Sequence, residues 1–170
     1  MDYRGKRLEG LGNAPHLKLN RVGKDVPANV FVKLEHLNPS GSYKDRMALS
    51  MVEAAERGET WNGKKLEPGG TVCDASAGNT APALAFVCAM KGYNIKLCTY
   101  AHFLHSDDKN MSARLKISSA FGANHYPCPL PCDEVLDAFE TDKERRFDVI
   151  RTCKHHIYEM SPVNPEFICL

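Results

Sequence analysis

Several features that would point to a particular partner or compartment are missing from this sequence. The longest apolar run, residues 81–90, falls well short of the roughly 20 residues that a membrane-spanning helix needs. The net charge of +1 leaves no electrostatic footprint for nucleic acid or an anionic membrane surface. Residues 1–7 contain no signal-peptide core. These absences predict a cytoplasmic protein with no nucleic-acid or membrane partner.

Two common site motifs are also absent. No Gly-x-Gly-x-x-Gly follows a predicted strand, which disfavours a Rossmann-like nucleotide-binding domain. No Cys-x-x-Cys or recurring Cys/His spacing occurs, so no metal site is predicted from the candidate ligands His125, Cys128, Cys132, Cys153, His155 and His156. The seven cysteines are odd in number and irregular in spacing, unlike a disulfide framework. Those in apolar runs are interpreted as free, small hydrophobic side chains.

The composition is that of one globular domain. The chain has 170 residues, of which 43% are hydrophobic and 25% charged, enough to bury a single core. Residues 1–157 are predicted to form the ordered domain. Residues 158–170 are predicted to be an irregular tail, because Pro162 and Pro165 interrupt regular structure there.

Strands and helices are predicted to alternate along the domain. Hydrophobic periodicity and turn residues predict strands at 17–20, 30–34, 71–75, 95–100 and 124–126, and helices at 47–57, 81–91, 106–121, 133–139 and 143–157. The first helix is predicted to bury Met47, Met51, Val52 and Ala55, and the third to turn Met111, Leu115, Ser118, Ala120 and Phe121 inward. Residues 71–100 read as a βαβ unit, which predicts an α/β fold with a parallel sheet. The loop after its first strand then lies where such sheets bind ligands.

One lysine is predicted to lie in the first turn of a helix. Residues 38–46 contain a proline, a glycine and two serines, and Ser40 or Ser42 is suited to cap the helix that follows. The macrodipole at that end favours the neutral, nucleophilic form of the Lys44 amine, whereas the neighbouring Asp45 opposes it. The alternative is an ordinary solvated lysine at a helix start.

The loop at residues 76–80 is a second candidate site. Gly78 allows close approach of a ligand to the backbone, and the helix N-terminus behind it favours a carboxylate or phosphate. Ser76 and Thr80 add hydroxyl groups, and Asn79 is able to donate to a phenolate-type oxygen. The alternative is a simple turn with an Asn/Thr cap.

The two loops together resemble the cysteine synthase and cystathionine beta-synthase family, pyridoxal-phosphate enzymes of the tryptophan synthase beta fold type. The resemblance extends over roughly residues 8–126. It rests on the stretches 11–15, 19–20, 33–35, 38–46, 68–71, 76–80 and 115–123 in this order. The fold expected from it is a three-layer, Rossmann-like parallel-sheet unit, the N-terminal part of that fold, truncated.

The resemblance also implies roles for individual residues. Lys44 would form the Schiff base with pyridoxal 5′-phosphate and take the substrate's α-proton. Asn79 would hydrogen-bond the 3′-oxygen of the cofactor. The small-molecule amino-acid substrate would be held by the loop residues Ser76, Ala77, Gly78, Asn79 and Thr80. The implied reaction is β-elimination and β-replacement on serine or an O-activated serine, as in cysteine biosynthesis, which is transferase or lyase chemistry.

The chain also departs from the family pattern. Ala77 stands where relatives often have serine, and Ala81 and Ala83 where they have glycine, which narrows the loop. The family fold is about twice this length, and its second domain carries the loop for the cofactor phosphate. A truncated form is therefore expected to bind cofactor weakly on its own. The alternative is a non-catalytic binding or regulatory fragment that forms a homodimer or associates with a full-length relative.

Overall fold

The computed structural model describes residues 8–60, 63–76, 78–99, 109–127 and 167–169, with the backbone alone at 109–112 and 167–169.

The main sheet has four parallel strands in the order β5-β4-β3-β6. These are β3 (Thr71–Ala75), β4 (Asn94–Thr99), β5 (Asn124–Pro127) and β6 (Phe167–Cys169). The helices are α1 (Lys44–Glu56), α2 (Thr80–Lys91) and α3 (Lys109–Ala120). Two short strands, β1 (His16–Lys18) and β2 (Phe31–Lys33), form an antiparallel pair. The predicted α/β parallel-sheet class is confirmed.

The second helix is the centre of the core. Residues 81–88 of α2 are all buried, and α2 packs against α1, α3 and strands β3 and β4. A helix that is apolar on all sides is stable only where other elements cover every face. The core therefore lies around α2, with Val72, Ile95 and Leu97 contributed by the sheet.

The first helix begins at Lys44, which confirms the prediction of this lysine in a first helical turn, three residues before the predicted amphipathic segment at 47–57. It includes Lys44, because the Asp45 carboxylate turns back to the preceding loop and fixes the first turn. Its buried apolar residues are Ala48, Val52 and Ala55, whereas Met47 and Met51 are half-buried. The predicted inward face is thus wrong at the two methionines. The same correction applies to Ala120 of α3, which is exposed, while Ser118 is fully buried.

The predicted irregular tail is wrong at its end. Residues Phe167–Cys169 form β6, which pairs in parallel with β3 so that Cys169 lies opposite Cys73. A three-residue strand is too short to show hydrophobic periodicity. Its pairing also depends on β3, which is distant in the sequence, so the sequence alone does not predict β6. The rest of the tail, the predicted helices at 133–139 and 143–157, and the predicted ends Tyr100 and Ser106 lie outside the described residues. The division at residue 157 stays a prediction.

The cysteines follow the prediction in part. Cys88 and Cys98 are free and buried, as expected of small hydrophobic side chains. Cys73 is also buried but is disulfide-bonded. The interpretation as a free cysteine is therefore wrong for Cys73.

The C-terminal ends of α1 and α2 are tied together by a polar cluster. The Lys91 ammonium donates to both carboxylate oxygens of Glu56, at 3.0 and 2.9 Å. The Tyr93 hydroxyl, just after α2, donates to the same carboxylate at 2.8 Å. The last turns of α1 and α2, which pack against each other, therefore meet at this cluster.

The third helix is tied to the sheet through a half-buried histidine. His125 in β5 has its Nδ1 3.1 Å from the Thr99 hydroxyl and its Nε2 2.9 Å from the Ser118 hydroxyl. Ser118 also donates to backbone carbonyls in its own helix, including that of Arg114 at 2.9 Å. Burial lowers the pKa of His125 below its ordinary value of 6.5.

This shift predicts a loss of stability on acidification. The unfolded chain takes up a proton near pH 6.5, whereas the folded chain keeps His125 neutral to lower pH. The unfolding free energy should therefore fall as the pH drops below about 6.5. Urea unfolding between pH 8 and pH 5 should show a shallower decrease for His125→Gln than for the unsubstituted chain. Parallel decreases in the two proteins would contradict the expectation.

Candidate functional site

The two predicted site elements lie at the starts of two helices whose last turns meet. Lys44 begins α1 and Thr80 begins α2, and both helices end at the Glu56–Lys91 contact. At 1.5 Å per residue, Lys44 and Thr80 lie about 18 Å and about 17 Å back from that contact. Lys44 is therefore the first residue of α1, and the loop at 76–80 connects the carboxyl end of β3 to the first residue of α2.

Among the residues that the structure describes, the amine of Lys44 has no acidic partner. Its Nζ contacts the sulfur of Met47 at 3.7 Å and lies 5.1 Å from the centre of the Tyr43 ring. Across the described ranges, the salt bridges involve other cations. The residue is half-buried, and its backbone N–H donates to the Ser42 hydroxyl at 3.1 Å. The residue that caps α1 is Tyr43, without a side-chain cap hydrogen bond, so the predicted capping by Ser42 is wrong, although its hydroxyl accepts this N–H.

The carboxylate of Asp45 is used to hold the loop that precedes Lys44. Asp45 is fully buried, and its Oδ2 accepts the backbone N–H of Ser40 at 2.8 Å. The Ser40 hydroxyl donates to the other oxygen, Oδ1. Ser40 therefore does not cap the helix, as was one of the two predicted options, but is itself held by the helix.

A second buried side chain joins this loop to the N-terminal part of the chain. The Nδ2 of Asn38 donates to the Ser42 carbonyl at 3.0 Å and to the Glu35 carboxylate at 2.6 Å, and its Oδ1 accepts the Gly12 N–H at 3.2 Å. Gly12 has a φ of 79°, and a Cβ there would overlap the Arg46 side chain. Arg46 in turn bonds Glu35 at 2.6 Å. The backbone on both sides of Lys44 is therefore fixed.

The loop at 76–80 leaves its backbone accessible. The Ser76 N–H continues the sheet by donating to the Cys98 carbonyl at 3.1 Å. Gly78 is exposed, has no positive φ, and a Cβ built on it would meet nothing within 4 Å. No contact within the described part of the chain therefore requires glycine at residue 78. A ligand placed against this backbone would require it. Thr80 is half-buried at the start of α2, and Ala77 lies outside the described residues.

The side chain of Asn79 is turned toward another helix. Asn79 precedes α2 but forms no side-chain cap hydrogen bond, so the alternative of a simple asparagine cap is wrong. Its Oδ1 instead accepts a hydrogen bond from Nε of Arg114 in α3 at 2.8 Å. Sequence reasoning did not identify Arg114. The sequence does show that Arg114 lies four residues before Ser118 and three after Met111, so it is next to the residues of that helix that are predicted to face inward.

Other reactive groups in the described chain do not provide a competing site. Burial raises the pKa of the Cys88 thiol to about 12, which excludes a thiolate nucleophile there. The described residues contain no group of three or more potential ligands arranged for a metal, and the zinc candidates other than His125 lie outside them. Within the same ranges, no helix has the length and apolar character to cross a membrane.

The arrangement fits an aldehyde cofactor that carries an anionic oxygen. The Lys44 amine is held at a helix start without a carboxylate partner among the described residues. Asn79, with its oxygen engaged by Arg114, has N–H groups left to donate. The open backbone at Gly78 is accessible to a carboxylate.

Comparison with known proteins gives a family match. The model of the family described as pyridoxal-phosphate dependent enzyme matches residues 8–168. A cysteine synthase of Staphylococcus aureus is 51% identical over 83 residues, which are 49% of this chain and 25% of the relative. This chain thus covers about a quarter of the length of that relative.

Solved structures agree with this match. A hydrogen sulfide-producing enzyme from Fusobacterium nucleatum superposes with a TM-score of 0.64 over 96% of this chain and 45% of its own, at 24% identity, and it supports the fold alone. A mutant of O-ureido-L-serine synthase with O-ureido-L-serine bound is 32% identical, with a TM-score of 0.56 over 71% of this chain and 34% of its own.

Proposed function

This chain belongs to the family of pyridoxal-phosphate dependent enzymes, and we propose that it serves β-elimination and β-replacement on serine or an O-activated serine, as in cysteine synthesis. The observation that supports the proposal is that Lys44 begins α1 and the loop at 76–80 leads into α2, two helices that pack together and whose last turns meet. The match decides against the alternative of a nucleotide-binding domain. The cytoplasmic location predicted from the sequence stays a prediction.

In this proposal Lys44 has two tasks. When bound, pyridoxal phosphate supplies an aldehyde that condenses with an amine and a ring that accepts the electron pair left by a departing proton. Lys44 holds the cofactor through its Nζ and moves the proton at the substrate's Cα. Its place in the first turn of α1, with the preceding loop clamped by Asp45 and Asn38, fixes the backbone from which the amine extends.

The loop at 76–80 holds the substrate and the cofactor ring in this proposal. The exposed backbone at Gly78 and the hydroxyls of Ser76 and Thr80 are suited to bind the substrate carboxylate. Asn79 donates to the 3′-oxygen of the cofactor through its amide nitrogen. Ala77 belongs to the same loop and keeps its predicted place in the substrate site.

The proposal is tested by adding pyridoxal phosphate to the purified chain and following the visible absorbance of the bound cofactor. A saturable band is expected, followed by formation of cysteine when an O-acylated serine and sulfide are added. Pyridoxal phosphate mixed with excess free lysine, without the protein, is the control for simple amine chemistry in solution. Saturable binding without cysteine formation would contradict the catalytic proposal and favour the binding fragment.

An apolar surface on the small hairpin favours that second candidate, association with another protein of the same family. Leu17 and Val32 are 54% and 41% exposed, and they lie opposite each other on the paired strands β1 and β2, so their side chains share one face of the hairpin. Contiguous exposed apolar side chains are typical of interaction surfaces. Sedimentation at increasing protein concentration separates a self-associating chain from a monomer.

A further inference from the structure

The contact between Arg114 and Asn79 joins two separate parts of the site. Arg114 lies in the middle of α3, and Asn79 lies in the loop before α2, 35 residues earlier. The 2.8 Å distance between Nε and Oδ1 is that of a good charge-assisted hydrogen bond. Since Asn79 makes no cap bond with its own helix, this contact is the one that orients its amide among the described residues.

The chemistry of the two groups fixes which end of the amide faces outward. A guanidinium only donates hydrogen bonds, so it pairs with the amide oxygen and not with the amide nitrogen. The nitrogen, with two N–H donors, is therefore turned away from Arg114. An anionic oxygen needs a donor, and a reversed amide would present its own oxygen instead.

The position of Arg114 is itself anchored. The buried Ser118 donates to the Arg114 carbonyl at 2.9 Å and contacts His125 of β5. The Phe121 ring, one residue after α3, packs edge-on against Phe86 of α2 with centroids 5.3 Å apart. The helix that carries Arg114 is thus held against both the sheet and α2.

We propose that Arg114 is a positioning residue that orients the Asn79 amide so that its nitrogen donates to the 3′-oxygen of pyridoxal phosphate. The proposal rests on the proposed function, because that function supplies the oxygen. It adds a residue in a third element, α3, to a site otherwise built from the two loops. Arg114 acts through Asn79 and need not touch the reacting atoms.

The test compares cofactor affinity in Arg114→Met, Asn79→Ala and the double variant, by titration with pyridoxal phosphate. Each single change should weaken binding by about tenfold, the effect of one charge-assisted hydrogen bond. The double variant should bind no more weakly than Asn79→Ala, because both changes remove the same interaction. Lys116→Met, which removes an exposed cation from the same helix, should leave affinity within about twofold.

Two further readouts separate positioning from a general structural role. Arg114→Met should shift the visible band of the bound cofactor in the same direction as Asn79→Ala. In the chain without cofactor, the Asn79 side-chain amide signals in a ¹⁵N–¹H spectrum should move toward those of a solvated amide in Arg114→Met and not in Lys116→Met.

The positioning role would be overturned by an unchanged cofactor affinity and an unchanged visible spectrum in Arg114→Met. It would also be overturned if the losses of affinity multiply in the double variant. If the unsubstituted chain itself showed no saturable binding, the proposed function would fail, and this role with it. The amide spectrum without cofactor would then still show whether the Arg114 contact forms.

Discussion

Replacing Lys44 by alanine is expected to abolish the pyridoxyl adduct that borohydride traps on the protein after incubation with pyridoxal phosphate. The reason is chemical, since borohydride fixes the cofactor only where an amine has condensed with its aldehyde. The Lys44 amine lies at the start of α1, and its described contacts are a sulfur and an aromatic ring. The adduct, measured by mass spectrometry of the intact chain, should fall to background.

The control for this prediction is another lysine. Lys24 is exposed in the connection between β1 and β2, so Lys24→Ala should retain the adduct. Both variants should give the circular dichroism of the unsubstituted chain, because neither side chain is part of the core. Equal adduct in Lys44→Ala and Lys24→Ala would mean that the label reports unspecific surface chemistry.

Replacing Asp45 by alanine is expected to have the largest effect on stability among changes near the site. The fully buried carboxylate accepts hydrogen bonds from the N–H and the hydroxyl of Ser40, and alanine would leave both donors without their acceptor. Hydrogen bonds to charged groups contribute about 1.5 to 3 kcal/mol each, so a loss of about 3 kcal/mol is expected. Urea unfolding monitored by circular dichroism measures this change.

The matched control is Asp25→Ala, which removes an exposed aspartate in the same N-terminal half. Its unfolding free energy should stay within about 0.5 kcal/mol of the unsubstituted chain. Because Asp45 clamps the loop before Lys44, its replacement should also weaken cofactor binding. Equal stability of the two variants would show that the Asp45 clamp contributes little in solution.

The elements that the sequence predicted well are those whose signals are local. Strand β3 was predicted with its observed bounds, because a short β-rich run lies between Gly70 and the loop at 76–80. Helix α2 was predicted to within one residue, since its apolar run ends at Gly92, which has a left-handed φ of 80°. Local composition also placed both candidate loops at helix starts.

The parts that the sequence did not predict depend on contacts between distant residues. Strand β6 forms only because Phe167–Cys169 pairs with β3. The Arg114–Asn79 contact joins residues 35 apart, and Arg114 carries no motif of its own. The burial of Asp45 has no signal in helical periodicity, because it depends on hydrogen bonds from Ser40 in the preceding loop.

The proposed role of Lys44 is tested by identifying the modified lysine in the unsubstituted chain. The protein is incubated with pyridoxal phosphate, reduced with borohydride and digested, and the peptides are sequenced by mass spectrometry. If Lys44 condenses with the cofactor, the pyridoxyl group is expected on the peptide that contains Lys44. A pyridoxyl group concentrated on a different lysine, or spread evenly over the exposed lysines, would contradict it.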